Sequence, residues 1–189
     1  AENVSKGSKL VVGQHGGGPF HRYNSGMQQE IDISDLYMTT GNGNQVYSHI
    51  RDVGQFFARL SYNKWNPKGS LLVVTVLMPK NVTDLRSMPL GNQMLSYIED
   101  QFKFYNSLIG SVKQETIIRL YKSKTDYGWD IINRWKNRFP NVQLEEPSKP
   151  MGLSIQKCRL FISTYNATTY NESLAANIPT VIFWDKRYW

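Results

Sequence analysis

Phe161-Ile162-Ser163-Thr164-Tyr165-Asn166-Ala167-Thr168-Thr169-Tyr170-Asn171-Glu172-Ser173-Leu174-Ala175-Ala176-Asn177-Ile178-Pro179-Thr180-Val181-Ile182 is the stretch on which the fold turns. An apolar strand ending at Ser163 runs into a cluster of hydroxyl and amide side chains. A helix follows over Thr168 to Ala176, and Pro179 opens a second strand over Thr180 to Trp184. Strand, helix and strand at these intervals make one βαβ unit with parallel strands and a right-handed crossover. The first N–H groups of that helix have no partner inside it and face the polar cluster, which is how a chain receives an anion.

Upstream, the same alternation repeats. Ser70 to Met78 is an uninterrupted apolar run ended by Pro79, as expected of a strand buried on both faces. Gln93 to Ile109 places Met94, Leu95, Ile98, Phe102, Tyr105 and Leu108 at helical spacing, and Thr116 to Tyr121 reads as the next strand. Thr125 or Asp126 can cap a helix running to Phe139, which Pro140 ends. Trp129, Trp135 and Phe139 fall on that segment and read as a face packed on the sheet, not as a platform for bases. Val142 to Leu144 is a weaker strand. The expected class is α/β, a Rossmann-like open parallel sheet with flanking helices.

Nearer the start, Lys9 to Gly13 is a short strand that breaks into Gln14-His15-Gly16-Gly17-Gly18-Pro19. Residues 20 to 45 read as loop-rich, with a short strand at Asp35 to Thr39 and a turn at Gly41-Asn42-Gly43-Asn44. The domain boundary is expected near residue 65. The chain lacks an initiating Met and stops at Arg187-Tyr188-Trp189, just past an apolar strand, so it reads as a piece of a longer protein.

Composition narrows the classes. Forty per cent hydrophobic residues suffice for a real core, which excludes a disordered chain. Twenty-two basic against 15 acidic residues give a formal +7, which favours anionic partners. One cysteine, Cys158, excludes an internal disulfide, and three scattered histidines give no zinc spacing. No run of about eighteen apolar residues and no apolar leader core appear. A cytoplasmic protein without a cofactor or metal is expected.

Ser163, Thr164, Asn166, Thr168 and Thr169 would meet a diphosphate at the helix start, where the helix dipole favours negative charge. Glu172 lies about one turn further in, where a carboxylate can accept hydrogen bonds from a ribose diol. The plainer alternative makes Ser163 to Asn166 a helix cap and Glu172 a solvated acid. His15, in a glycine-flanked loop at a strand end, can take a proton from an acceptor hydroxyl or hold a phosphate, or can merely satisfy local backbone. Gly16, Gly17 and Gly18 would let backbone approach a sugar or phosphate, although they do not form the dinucleotide G-x-G-x-x-G pattern. Arg119 ends its strand and can pair with phosphate oxygens, or can be one exposed charge among many. Glu30, Asp32 and Asp35 could hold a metal, but Asp35 reads better as a structural residue at a strand start.

The turn from Ser163 to Glu172 and the Asn177-Ile178-Pro179-Thr180-Val181-Ile182 strand resemble the donor site of GT-B glycosyltransferases and of the related nucleotide-sugar epimerases. The resemblance implies that Asn166, Thr168 and Thr169 bind phosphate and that Glu172 binds ribose. Together with Gln14-His15-Gly16-Gly17-Gly18 and Glu30-Ile31-Asp32-Ile33-Ser34-Asp35, the chain is similar to bacterial surface-carbohydrate transferases of the capsule and teichoic-acid kind. One departure stands out: the epimerases have a Gly-Gly pair beside the phosphate, and this chain has Ala167 and Thr168. The resemblance implies residues 1–65 as the end of an N-terminal acceptor-side domain with the interdomain crossover, and 66–189 as an incomplete nucleotide-sugar donor domain.

The expected activity is therefore metal-independent glycosyl transfer from a nucleotide-sugar donor to a polysaccharide or lipid-linked acceptor, with peripheral contact at the inner face of the membrane and no nucleic acid. Two rivals stand beside it: a nucleotide-sugar epimerase, and a non-catalytic nucleotide- or polyanion-binding module. No clustered basic groove is visible in the sequence, which counts against the last.

Overall fold

A computed structural model describes residues 2–14, 25–39, 47–53, 64–81, 88–121, 126–145, 148–166 and 168–188. The chain divides into two units, Ala1–Arg59 and Leu60–Trp189, each with its own parallel sheet.

In the first unit, helix α1 (Glu2–Ser5) precedes β1 (Val11–Gly13), and α2 (Ser25–Ile33) leads into β2 (Leu36–Thr39) and β3 (Ile50–Asp52). The sheet order is β1-β2-β3. Ile31, Tyr37 and Ile50 form its small core, with Val12 and Tyr47 against them. Asp35 fixes the start of β2: its carboxylate accepts the Leu10 N–H at 2.8 Å and the Lys9 ammonium at 3.0 Å. Residues 25–33 were expected as loop and are helical. The helix is short and buries Ile31 as its apolar anchor, so its sequence shows too little of a 3.6-residue period to be read.

The second unit runs β4 (Ser70–Val74), α3 (Gln93–Ser107), α4 (Gly110–Gln114), β5 (Thr116–Arg119), α5 (Ile131–Arg138), β6 (Gln143–Glu145), α6 (Met151–Ile155), β7 (Cys158–Ser163), α7 (Thr168–Ala175) and β8 (Thr180–Ile182), then a 3-10 turn at Lys186–Tyr188. Its order is β6-β5-β4-β7-β8 with every pair parallel. The first strand lies at the centre and the chain winds outward first one way and then the other. This is a doubly wound, Rossmann-like open sheet. Leu71, Leu72, Val73 and Val74 are all buried because β4 has a strand on each edge and helices on its faces; each such side chain contributes about 1.5–3 kcal/mol.

The apolar run through Met78 stays buried to its end, but β4 pairs only as far as Val74. Its neighbours stop there: Val74 stands opposite Arg119 on one side and Ser163 on the other. The Thr75 N–H still reaches the Arg119 carbonyl at 3.1 Å, and beyond it a side chain takes over, the Tyr97 hydroxyl accepting the Val76 N–H at 2.9 Å. The helix expected to start at residue 125 or 126 begins at Ile131. Tyr127, Gly128 and Asp130 have positive φ, which no helix tolerates, while the Asp126 carboxylate still receives the Ile131 N–H. Trp129 therefore sits in the turn, its indole N–H donated to the Met78 carbonyl at 2.6 Å. Trp135 packs edge-on against Phe102 at 4.7 Å, and Phe139 against Tyr105 at 4.8 Å, joining α5 to α3. Among the described residues no helix is long and apolar enough to cross a membrane.

Candidate functional site

In an open α/β sheet the ligand crevice lies outside the strand carboxyl ends where the winding reverses. Here that place is between β4 and β7, since β4 connects outward to β5 and β7 outward to β8. A cleft of about 380 Å³ opens at this edge. Its walls come from Val74 and Thr75 after β4, from Arg119, Leu120 and Tyr121 at the end of β5, from Ser148 to Met151 beyond β6, and from Tyr165 and Thr169 after β7.

The edge is held by a hydroxyl network. The Thr164 hydroxyl donates to the Val74 carbonyl at 2.8 Å and accepts from the Tyr97 phenol at 2.5 Å, tying the two central strands and α3 together. The Ser163 hydroxyl donates to the Tyr165 carbonyl at 2.9 Å, which shapes the turn. Both side chains are buried, so they fix the turn's backbone. Asn166 Oδ1 accepts the Tyr170 phenol at 3.1 Å, across the start of α7. Thr168 is the first residue of α7. Thr169 is different. Its hydroxyl is sealed from solvent and completes no hydrogen bond of normal geometry, although the Tyr165 phenol lies near enough to feel it. A buried hydroxyl without a well-formed bond is uncommon in a folded protein, which sets this point of the cleft wall apart.

Arg119 is buried, not exposed. Its Nη1 donates to Glu145 Oε2 at 2.6 Å and to the Ser154 hydroxyl at 3.1 Å, and its Nη2 to the Lys149 carbonyl at 2.6 Å. Lys149 pairs with the other oxygen of Glu145. Burial works against the Glu145 charge, but the hydrogen bonds from Lys149, Ser154 and Arg119 together outweigh it and hold that carboxyl below the usual glutamate range. The guanidinium thus anchors the cleft wall between β5, β6 and the 148–155 segment. Its charge also reaches Glu172 and Tyr165.

Glu172, on α7, is partly buried. Burial pushes its carboxyl above the ordinary value, and the Arg119 charge opposes the shift. Tyr165 is raised by burial too, helped by Tyr121 and Glu172 and opposed by Thr169 and Arg119. Arg119, Tyr165, Thr169 and Glu172 therefore form one electrostatic neighbourhood. Glu145, Ser154, Lys149 and Tyr165 were not singled out from sequence. Glu145 ends its strand in register with Arg119, so the charged residue closing each strand was the available signal.

His15, Gly16, Gly17 and Gly18 lie outside the described residues. The acidic group behind them separates: Asp32 accepts the Gln28 amide at 2.7 Å, Asp35 ties to Lys9 and Leu10, and one Glu30 oxygen is buried without a partner. Among the described residues no group of three His, Cys, Asp or Glu could hold a metal ion.

The family described as LIC12162 family transferase matches the chain over residues 1–189. None of the curated proteins matches it.

Proposed function

The chain belongs to the LIC12162 family of transferases, and from that premise we propose that it moves a glycosyl or related group from a nucleotide-activated donor to a hydroxyl of a surface polysaccharide. The observation that carries this reading is the cleft at the winding reversal, with Thr169 in its wall and the partly buried Glu172 on the same helix.

In this reading the donor diphosphate lies at the start of α7. The helix dipole and the first backbone N–H groups meet its charge there, Thr169 supplies a hydroxyl, and Asn166 supplies its amide. Charge that develops on the departing phosphate is stabilised by these fixed dipoles and by the positive field of Arg119, which is already oriented and needs no reorganisation. Glu172 accepts the ribose hydroxyls. Ser163 and Thr164 act on the backbone, holding the turn where the phosphate would meet it. His15 and Gly16 to Gly18, in the first unit, keep the acceptor-side and phosphate roles that the resemblance implies. Fixed N–H groups and cations do this work without a metal, in keeping with the resemblance to GT-B enzymes.

Calorimetric titration with uridine, cytidine, guanosine and thymidine diphosphates tests the proposal. One of them is expected to bind, and Thr169→Val and Glu172→Gln are each expected to weaken it about tenfold, the loss of one hydrogen bond to a charged group. Absence of binding by all four would remove the nucleotide donor from the reading.

A further inference from the structure

We propose that the second unit carries another ligand site, at the opposite edge of its sheet, fitted to a small amphiphilic anion: a flat apolar body bearing one phosphate or carboxylate. A cavity of about 430 Å³ opens where α4 leads into β5 and where Val142 leads into β6, at the strands' amino ends. That volume is in the range of small-molecule pockets. Its apolar wall is the Tyr105 and Phe139 rings, which meet edge to face at 4.8 Å, with Val142 beside them. Lys113 and Arg138 line the same cavity, and among the described residues no carboxylate does.

The two cations are weakly engaged. Lys113 Nζ stands 5.2 Å from the centre of the Tyr105 ring and 5.5 Å from that of Phe139, with the Asn106 amide oxygen at 3.5 Å. Among the described residues Arg138 pairs with Glu99, at 3.9 Å, the two side chains 62% and 48% exposed. Such a pair contributes little, so an incoming anion displaces almost nothing. Depth separates the two chemistries: Tyr105 is 4% exposed and the Arg138 side chain 62%. The rings lie inside, Arg138 stands at the mouth, and the half-buried Lys113 ammonium lies between the two depths. A bare phosphate would leave the rings uncovered, and a bilayer would bring its charged layer to the pocket first with its apolar part behind. An aromatic or similarly flat molecule with an anionic group at one end satisfies both layers.

Naphthyl phosphate serves as the probe in calorimetry, with naphthol and inorganic phosphate as controls lacking the charge and the ring. The expected result is binding at least about tenfold tighter than either control, weakened about three- to fivefold by Lys113→Ala and by Arg138→Ala, each worth one exposed ion pair. Asn141→Trp, which fills the pocket from an exposed position, abolishes it, and Lys103→Ala, outside the pocket, leaves it unchanged. Melting temperatures of the variants confirm folding. Equal binding of naphthol, indifference to both cation deletions, or competition by a nucleoside diphosphate at the carboxyl edge would each overturn the site.

Discussion

Arg119 and Glu145 stand opposite one another in the β5–β6 register and join through a 2.6 Å ion pair whose two side chains are almost wholly withdrawn from water. Removing one partner strands the other charge in a low-dielectric wall. Glu145→Gln is therefore expected to lower unfolding stability by about 3–5 kcal/mol in denaturant titration, while the double replacement Arg119→Met with Glu145→Leu costs less than the single change. A double variant as unstable as the single one would show that the pair's geometry, not its charge balance, supports the wall.

Acid should dissolve that same support. Glu145 is held below the ordinary glutamate value, because three hydrogen bonds outweigh its burial. A folded-state value below the unfolded one means stability that is full above the ordinary glutamate range and lost as pH falls through the depressed value. The stability difference between the native chain and Glu145→Gln is expected to shrink as the denaturant titration is repeated from pH about 6 down to about 3. A difference that stays constant across that range would dissociate the pair from the acid limb.

Gly69, at the entry to β4, shows a purely steric requirement. A Cβ there would stand 2.6 Å from the Lys157 carbonyl oxygen and 2.7 Å from the Arg159 nitrogen, both backbone atoms of the neighbouring strand segment. Neither can move without breaking the β4–β7 ladder, which shifts register between Ser70 and Leu71. Gly69→Ala is expected to cost about 1–3 kcal/mol, as overpacking does, with the loss visible in melting temperature. Unchanged melting would mean the two strands can part at this end without penalty.

Strand β4 was legible because it is a continuous apolar run, which a strand buried on both faces requires, and β5, β7 and β8 were legible from shorter apolar stretches, although Val181 and Ile182 of β8 are exposed. The edge where the candidate cleft opens was legible from a strand followed by polar residues and a helix. What was not legible depends on partners distant in sequence. β4 could not be seen to end at Val74 without knowing that its neighbours end there. Arg119 could not be seen to be committed without the register that puts Glu145 beside it, 26 residues away. Helices α4 and α6, five residues each, have no period to detect, and the left-handed residues before α5 leave no trace in the pattern around Asp126.

Glu172 offers the sharpest test of the donor site, because two measurements should move in opposite directions. Burial raises its carboxyl above the ordinary value, against the pull of Arg119, so ionised Glu172 is disfavoured in the folded protein. Stability is expected to decline as pH rises from the ordinary glutamate value through the raised one, and Glu172→Gln to be as stable as the native chain or more so. A ribose diol donating to the carboxylate favours the ionised form. Nucleoside diphosphate affinity should thus increase with pH over the same window, with proton release detectable as a buffer-dependent binding enthalpy. In Glu172→Gln the affinity is expected to fall about tenfold and its pH dependence to vanish. A residue kept only for packing would lose stability on substitution and leave the nucleotide titration untouched, so a stable variant with weakened, pH-independent binding separates a ligand contact from a structural one.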